Sequence, residues 1–307
     1  NELPPTYIKL PRFAKPFYEL MSLINIPRSD EINPFLIFLI TFPIFYGIMI
    51  SDVGYGLLAL IFAALLKKRY YEGMANSVLT IIELSSIFAI IFGFLFDSFF
   101  GIKIDHYFGF NGIDFLPNII NILELSLIFG IVQISIGLVF GFINNIKKGK
   151  KRAISKASAL LFIDFGSITV IAFLFLHIYN YIAYISLAIT LISLITYLYY
   201  SGMEGIEITT LISHPLSYSR IMGFSVASMV IALLIDRAFT PNPSYNIVVF
   251  IFYLLIFLVL HMLNLSLSVL EATVQTLRLN VVEFFTKFIE GNGKNFRPFK
   301  IIKRYIK

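Results

Sequence analysis

Long apolar runs, interrupted by short polar turns, make up most of this 307-residue chain. A helix crosses a bilayer in about 20 residues, and the runs predict eight such helices. The first is predicted over Pro34–Ile50, with Pro34 in its first turn. A polar turn at Asp52, Gly54 and Gly56 separates it from a second that ends at Leu66, before Lys67, Lys68 and Arg69. A third runs from about Ser77 to Phe96, and the loop Asp97–Pro117 leads to a fourth over Asn118–Ile146. The fifth and sixth cover about Ala157–His177 and Ile182–Tyr200. The seventh, Ile206–Ile235, and the eighth, Asn246–Phe288, are about 30 and 40 residues, near 45 and 60 Å long. They exceed a perpendicular crossing and must tilt or project. The predicted fold class is all-α: an integral membrane bundle of about eight transmembrane helices, the last two long and tilted.

The polar residues inside the last two runs are not scattered. At about 100° per residue, His261, Asn264, Ser268, Glu271, Gln275 and Arg278 fall within an arc of roughly 100°. Ser213, Ser217, Arg220 and Ser228 follow helical spacing on the seventh helix. Two apolar helices, each with one Arg and a file of polar partners, fit a membrane protein that handles charge.

Composition agrees: 58% of residues are hydrophobic, 14% are charged and mean hydropathy is +0.85, whereas soluble domains are about 25% charged. The chain has no cysteine, so disulfides and thiolate metal sites are excluded. The net charge of +6 resides in loops and at the C-terminus, as the positive-inside rule requires, and is no sign of nucleic-acid binding. Lys67–Arg69, Lys147–Lys156 and the tail Lys287–Lys307 all fall on one side of an eight-span bundle, which places both termini in the cytoplasm. Three regions follow: a cytoplasmic or interfacial leading segment, 1–33, with Pro4, Pro5, Pro11, Pro16 and Pro27; an ion-translocating membrane region, 34–288; and a basic cytoplasmic tail, 289–307. A multi-pass protein of the cell membrane is expected if the source is prokaryotic. No phosphate-binding GKS or GKT loop, HExxH or GxSxG is present, so no active site of its own, cofactor or metal is expected.

An ionisable group deep in a membrane costs roughly 2.5–3.5 kcal/mol on insertion scales, so it is usually functional or paired. Arg220 lies mid-run, too deep to snorkel, and an Arg cannot carry a proton; it can hold a fixed positive charge. Arg278 is nearer the end of its helix, where snorkelling is the plainer reading. Gln275 can orient a guanidinium or water one turn earlier, and Glu271 can accept a proton. His261, Asn264 and Ser268 continue the stripe, and Ser217 flanks Arg220. Glu207 opens the seventh helix, where an acid is also simply favourable. Glu83, Glu124 and Asp164 could line an access route or be locally paired. Asp52 with its glycines reads as a turn.

Three stretches carry a family resemblance: FPIFYGIMISDVGYGLLAL, IEITTLISHPLSYSRIMGFSVASMVIA and HMLNLSLSVLEATVQTLRLNVVEFFTKFIEGNGKNFRPF. They resemble, in order, the first hairpin, seventh helix, and eighth helix with tail of the membrane subunit of A-type and V-type rotary ATPases, called subunit a or subunit I. The resemblance covers nearly the whole chain. It implies a stator with two offset ion half-channels against a rotating proteolipid ring, coupled to ATP synthesis or hydrolysis. It maps the family's two arginines onto Arg220 and Arg278, a polar residue onto Gln275 and a glutamate onto Glu207. It implies as partners the proteolipid ring, a peripheral stalk and other subunits, and protons, with Na+ as the other candidate ion. Family members usually carry a large cytoplasmic N-terminal domain, so the chain is expected to be the membrane half of a longer protein. Ser219 stands where the family usually has Leu, and His214-Pro215 precedes the LSYSR motif; a proline there bends or opens a helix. The alternative is a secondary transporter or channel with its own site near Arg220 and Glu271, but no internal repeat supports it.

Overall fold

The computed structural model describes residues 4, 11, 14–24, 27–70, 73–103, 119–146, 149–175, 181–201, 208–242, 246–291 and 293. Among these the protein is all-helical, and its one sheet-like contact is an isolated bridge between Phe99 and Ile102. A short amphipathic helix, α1 (Lys15–Ile24), precedes α2 (Phe35–Ile50), α3 (Val53–Arg69) and α4 (Met74–Leu95). Then come α5 (Ile119–Ile146), α6 (Lys150–Val170), which continues as a π-turn over Ile171–Phe175, and α7 (Tyr181–Ser201). The predicted seventh helix is two: α8 (Ile208–Ser217) and α9 (Ser219–Phe239). Last is α10 (Ile247–Arg278), extended by a π-segment, Leu279–Phe284, and a 3-10 turn, Phe285–Lys287.

Six helical segments are long and apolar enough to cross a membrane, including Thr209–Phe239 and Ile247–Lys287. The protein is therefore an integral membrane protein. The first two predicted spans are shorter, 16 and 17 residues, or about 24 Å each against a core of roughly 30 Å. They meet at a break that the rest of the bundle encloses.

That break is built around Asp52. Its Oδ1 accepts hydrogen bonds from the backbone N–H of Tyr55 (2.9 Å) and Phe100 (3.0 Å). Its Oδ2 accepts from Ser98 Oγ (2.7 Å) and Gly101 N–H (2.9 Å). One buried carboxylate thus caps α3 and ties the chain leaving α4 to the hairpin. The preceding Ser51 sits in the left-handed region, φ 36°, and its hydroxyl is 2.7 Å from Ser225 Oγ on α9. Gly93 allows α4 to come this close, since a Cβ there would lie 2.4 Å from the Val53 nitrogen.

Lipid supplies little hydrophobic drive for helix association, so close packing and hydrogen bonds do most of the work. α2 sits against α4, α9 and α10, α5 against α6, α8 and α9; α3 packs chiefly on α4 and α7 on α6. Gly130 on α5 admits the Tyr218 ring, which a Cβ would meet at 2.6 Å. Phe17, Phe38, Phe42 and Phe285 join α1, α2 and the end of α10 through edge-on ring contacts. Nearby, Arg28 Nη1 pairs with Glu290 at 3.0 Å and Asn144 Nδ2 donates to the Phe288 carbonyl at 3.0 Å. This end of the bundle also carries Lys67–Arg69 and Lys150–Arg152 and is termed the basic end; the Asp52 break lies at the far end.

Replacing Asp52 by Ala would strand four donors in a buried setting, at about 1–3 kcal/mol each. Asp52→Ala is expected to lower stability by about 3 kcal/mol or more, read as a thermal-unfolding midpoint in detergent, with Asp52→Asn intermediate. An unchanged midpoint for the Ala variant would refute the central role of this carboxylate.

Candidate functional site

Pro215 lies inside α8 and has no N–H for the Leu211 carbonyl, so the helix weakens just before Arg220. It breaks at Tyr218, and α9 starts at Ser219. Arg220 therefore stands at a helix break, its side chain 29% exposed. Nη2 donates to Ser217 Oγ at 3.2 Å. Nη1 lies 3.8 Å from Glu283 Oε1, too far for a hydrogen bond, and has no such partner among the described residues.

Glu283 belongs to the π-segment after α10, and its side chain is 3% exposed. His214 Nε2 is 3.3 Å from its other oxygen. Arg278 and the buried Lys287 also act electrostatically on it, so three cations, Arg220, Arg278 and Lys287, converge on one carboxylate. A buried carboxylate is tolerated when it is paired in this way. Behind the group runs a chain of side-chain hydrogen bonds. Tyr218 Oη donates to Gln133 Oε1 (2.9 Å), and Gln133 Nε2 donates to Asn280 Oδ1 (3.0 Å), which Thr41 Oγ1 also reaches (2.6 Å). Four elements, α2, α5, the α8–α9 break and the π-segment, are thereby locked together.

A second polar network lies toward the far end. His261 Nδ1 is 2.7 Å from Tyr55 Oη, and His261 Nε2 is 3.3 Å from Asp236 Oδ1. Asn264 Nδ2 donates to Tyr55 Oη (2.9 Å) and to the Ser228 carbonyl (3.2 Å). Ser228 and Ser268 share a hydrogen bond of 2.7 Å. All six residues are buried, and Asp236 Oδ2 has no hydrogen-bond partner among the described residues.

The polar stripe predicted on the eighth helix thus divides. His261, Asn264 and Ser268 lie in the buried seam of α10, while Glu271 and Gln275 sit at its half-exposed edge and Arg278 is exposed. Gln275 Oε1 is buried without a hydrogen-bond partner among the described residues, as is His214 Nδ1. Of the other candidates, Glu83 pairs with Lys67 at 2.7 Å, Asp164 accepts a hydrogen bond from Ser135, and Glu124 is exposed on α5. The structure brings none of these three into contact with either network. Glu207 lies outside the described residues.

Seven residues of the two networks were not singled out by sequence reasoning: Glu283, Lys287, Tyr55 and Asp236, and, in the hydrogen-bonded chain behind the first, Thr41, Tyr218 and Asn280. The i, i+4 acid–base pair Glu283 and Lys287 was the available signal for the first two. Tyr55 stands in the turn of the first hairpin, and Asp236 is one residue past the predicted end of the seventh helix.

On α9 the exposed positions Gly223, Ala227, Ile231 and Leu234 recur at helical spacing beside Arg220. Nothing lies within 4 Å of where a Gly223 Cβ would be. This is an apolar face, small at Gly223 and Ala227 and larger at Ile231 and Leu234, that the described chain leaves open.

Residues 1–110 match the V-type ATPase 116kDa subunit family. The chain is 28% identical over 344 residues to the A-type ATP synthase subunit I of Methanocaldococcus jannaschii, covering 98% of this chain and 50% of that protein. It is 30% identical to the A-type ATP synthase subunit I of Pyrococcus horikoshii, covering 96% of this chain and 47% of that one. Similarity reaches the vacuolar proton translocating ATPase 100 kDa subunit of Dictyostelium discoideum, 27% identical over 46% of this chain and 22% of the relative. The chain spans about half the length of the A-type relatives it matches.

Removing one member of a buried charge cluster costs about 3–5 kcal/mol, because the others lose their compensation. Glu283→Ala is therefore expected to lower the unfolding midpoint clearly, whereas Tyr55→Phe should cost about 1–3 kcal/mol through loss of one hydroxyl shared by His261 and Asn264. If Glu283→Ala is as stable as the parent, the cluster does not hold the α8–α9 break against α10.

Proposed function

Because this chain belongs to the family of the A-type ATP synthase subunit I and the V-type ATPase 116kDa subunit, we propose that it is the ion-translocating stator of a rotary ATPase or ATP synthase. Its partner on the open face of α9 is a ring of proteolipids, each with a membrane carboxylate. A peripheral stalk and the remaining subunits complete the complex. The transported ion is the proton, with Na+ the competing candidate. The basic end faces the cytoplasm, and the membrane is the cell membrane if the source is prokaryotic.

The observation that carries this reading is the setting of Arg220. It stands at a helix break beside an open apolar face, is held from behind by Glu283, and keeps one guanidinium nitrogen without a hydrogen bond. A fixed cation favours the ionised form of a carboxylate brought near it. A ring carboxylate reaching Arg220 therefore releases its proton, and one moving away takes one up. The far-end network of Asp236, His261, Tyr55, Asn264, Ser228 and Ser268 supplies one path. The basic-end group of Glu283, His214, Ser217 and Lys287, with Glu207 at the start of the seventh helix, supplies the other. Ser268 and Glu283 are 15 positions apart, about 22 Å along a helix. Glu271, Gln275 and Arg278 lie between them. The charge at Arg220 and Arg278 blocks direct passage between the two paths, because a cation entering there meets two others. One elementary charge falling through 100 mV yields about 2.3 kcal/mol, so ATP chemistry needs several crossings summed by rotation.

The test is Arg220→Ala in the assembled, reconstituted complex, with ion flux and ATP turnover measured together and assembly checked by size. The expected result is an assembled complex in which ion movement and ATP turnover are uncoupled, and Arg220→Lys, a point charge without the planar fork, does not restore full coupling. Coupled transport at the parent rate in Arg220→Ala would sink the mechanism.

A further inference from the structure

On the flank of α10 away from Arg278 an open apolar groove of about 480 Å3 runs between α3, α4 and α10. Its floor is made of Ala59 and Ala63, both buried, and its walls include Leu66, Ile82, Met262 and Val274. At 100° per residue the buried seam of α10, His261, Ser268 and Ala272, separates this flank from the one bearing Glu271, Gln275 and Arg278. Most of the groove's α10 wall thus faces away from Glu271, Gln275 and Arg278, with Val274, one turn before Arg278, at its rim.

Three observations define what fits it. The wall hydroxyls are already used: Ser266 Oγ donates to the Met262 carbonyl (2.8 Å) and Thr273 Oγ1 to the Val269 carbonyl (2.7 Å). The lining therefore asks for hydrocarbon and offers no free hydroxyl donor. From Met262 to Val274 the groove follows α10 for 12 positions, about 18 Å, close to one leaflet of a core roughly 30 Å thick. It ends at Leu66, where α3 delivers Lys67, Lys68 and Arg69. Glu83 neutralises Lys67 at 2.7 Å, while Lys68 and Arg69 are exposed and have no ion pair among the described residues. At 100° per residue Arg69 follows Phe62 and Leu66 on the groove face of α3, whereas Lys68 follows Ile61 and Ala64 on the opposite face. The mouth at the basic end therefore carries one cation, Arg69, unpaired among the described residues, and the shaft is apolar.

We propose that this groove is a specific site for one anionic membrane lipid. One hydrocarbon chain lies against Ala59 and Ala63, and the phosphate headgroup rests on Arg69. A bound chain fills the space between α3 and α10, so it wedges the long helix from the side opposite Arg278. The site itself stands on the groove and its charge; only the bracing of an ion-translocating helix rests on the proposed function.

The test is native mass spectrometry of the full-length protein after delipidation, incubated with phosphatidylglycerol or with phosphatidylcholine of the same chains. One phosphatidylglycerol should be retained in preference. Each basic residue near an anionic surface contributes on the order of fivefold, so Arg69→Ala should weaken retention about fivefold, and Lys68→Ala, on the opposite face of α3, should leave it unchanged. Ala63→Phe, which fills the floor and leaves the charges, should abolish it. Because that variant could fold poorly, a phosphatidylglycerol with a photoreactive chain should label α3 or α10 peptides lining the groove in the parent protein. Equal retention of the two lipids means ordinary boundary lipid and overturns the proposal. Unchanged retention in Arg69→Ala, labelling elsewhere, or a co-purified membrane peptide shielding the groove from label would each overturn it as well.

Discussion

The contact between the Arg220 guanidinium and the Glu283 carboxylate decides how the two long helical segments sit. Each charge would be costly alone in a membrane interior, and each is placed by a local irregularity. Pro215 and the break at Tyr218 put Arg220 at the start of a new helix. The π-segment carries Glu283. The regular helices on either side are then committed. The chain Tyr218–Gln133–Asn280–Thr41 repeats the same logic with neutral groups and secures α2 and α5 behind the pair. The guanidinium is held between Ser217 and Glu283, and its Nη1, without a hydrogen bond among the described residues, is the nitrogen nearest Glu283.

The far end is organised by a different carboxylate. Asp52 carries no exposed chemistry; four donors consume it. By fixing the start of α3 it delivers Tyr55, two residues inside the helix from its first, into reach of His261 and Asn264. The first hairpin therefore contributes to a polar network whose other members all come from α9 and α10. A turn motif and a buried hydroxyl, adjacent in sequence, serve scaffold and network respectively.

Much of this was legible in advance. The all-helical membrane class followed from run lengths, and the opening of the seventh helix from His214-Pro215. The stripe of six polar positions on the eighth helix was legible as a stripe, but not where it divides. An arc of about 100° reaches from the centre of a buried seam to its rim, so His261 and Arg278 share a stripe and differ in exposure. Charge alone was a poorer guide. Glu83 and Asp164 were singled out for being ionisable in apolar runs, yet each is met by a nearby helix, through Lys67 and Ser135. Tyr55, Asp236 and Glu283 looked like a turn residue, a helix end and part of a tail motif. Their significance comes from partners 206, 25 and 63 positions away, His261, His261 and Arg220, and periodicity carries no information about such pairings.

The open face of α9 has a mechanical meaning besides a chemical one. Side chains that interlock across two helices act as detents: sliding one past the other must lift each knob out of its hole. Gly223 and Ala227, one and two turns beyond Arg220, present almost no knobs. Large side chains return on this face at Ile231 and Leu234, so the smooth stretch is confined to the turns next to the charge of Arg220.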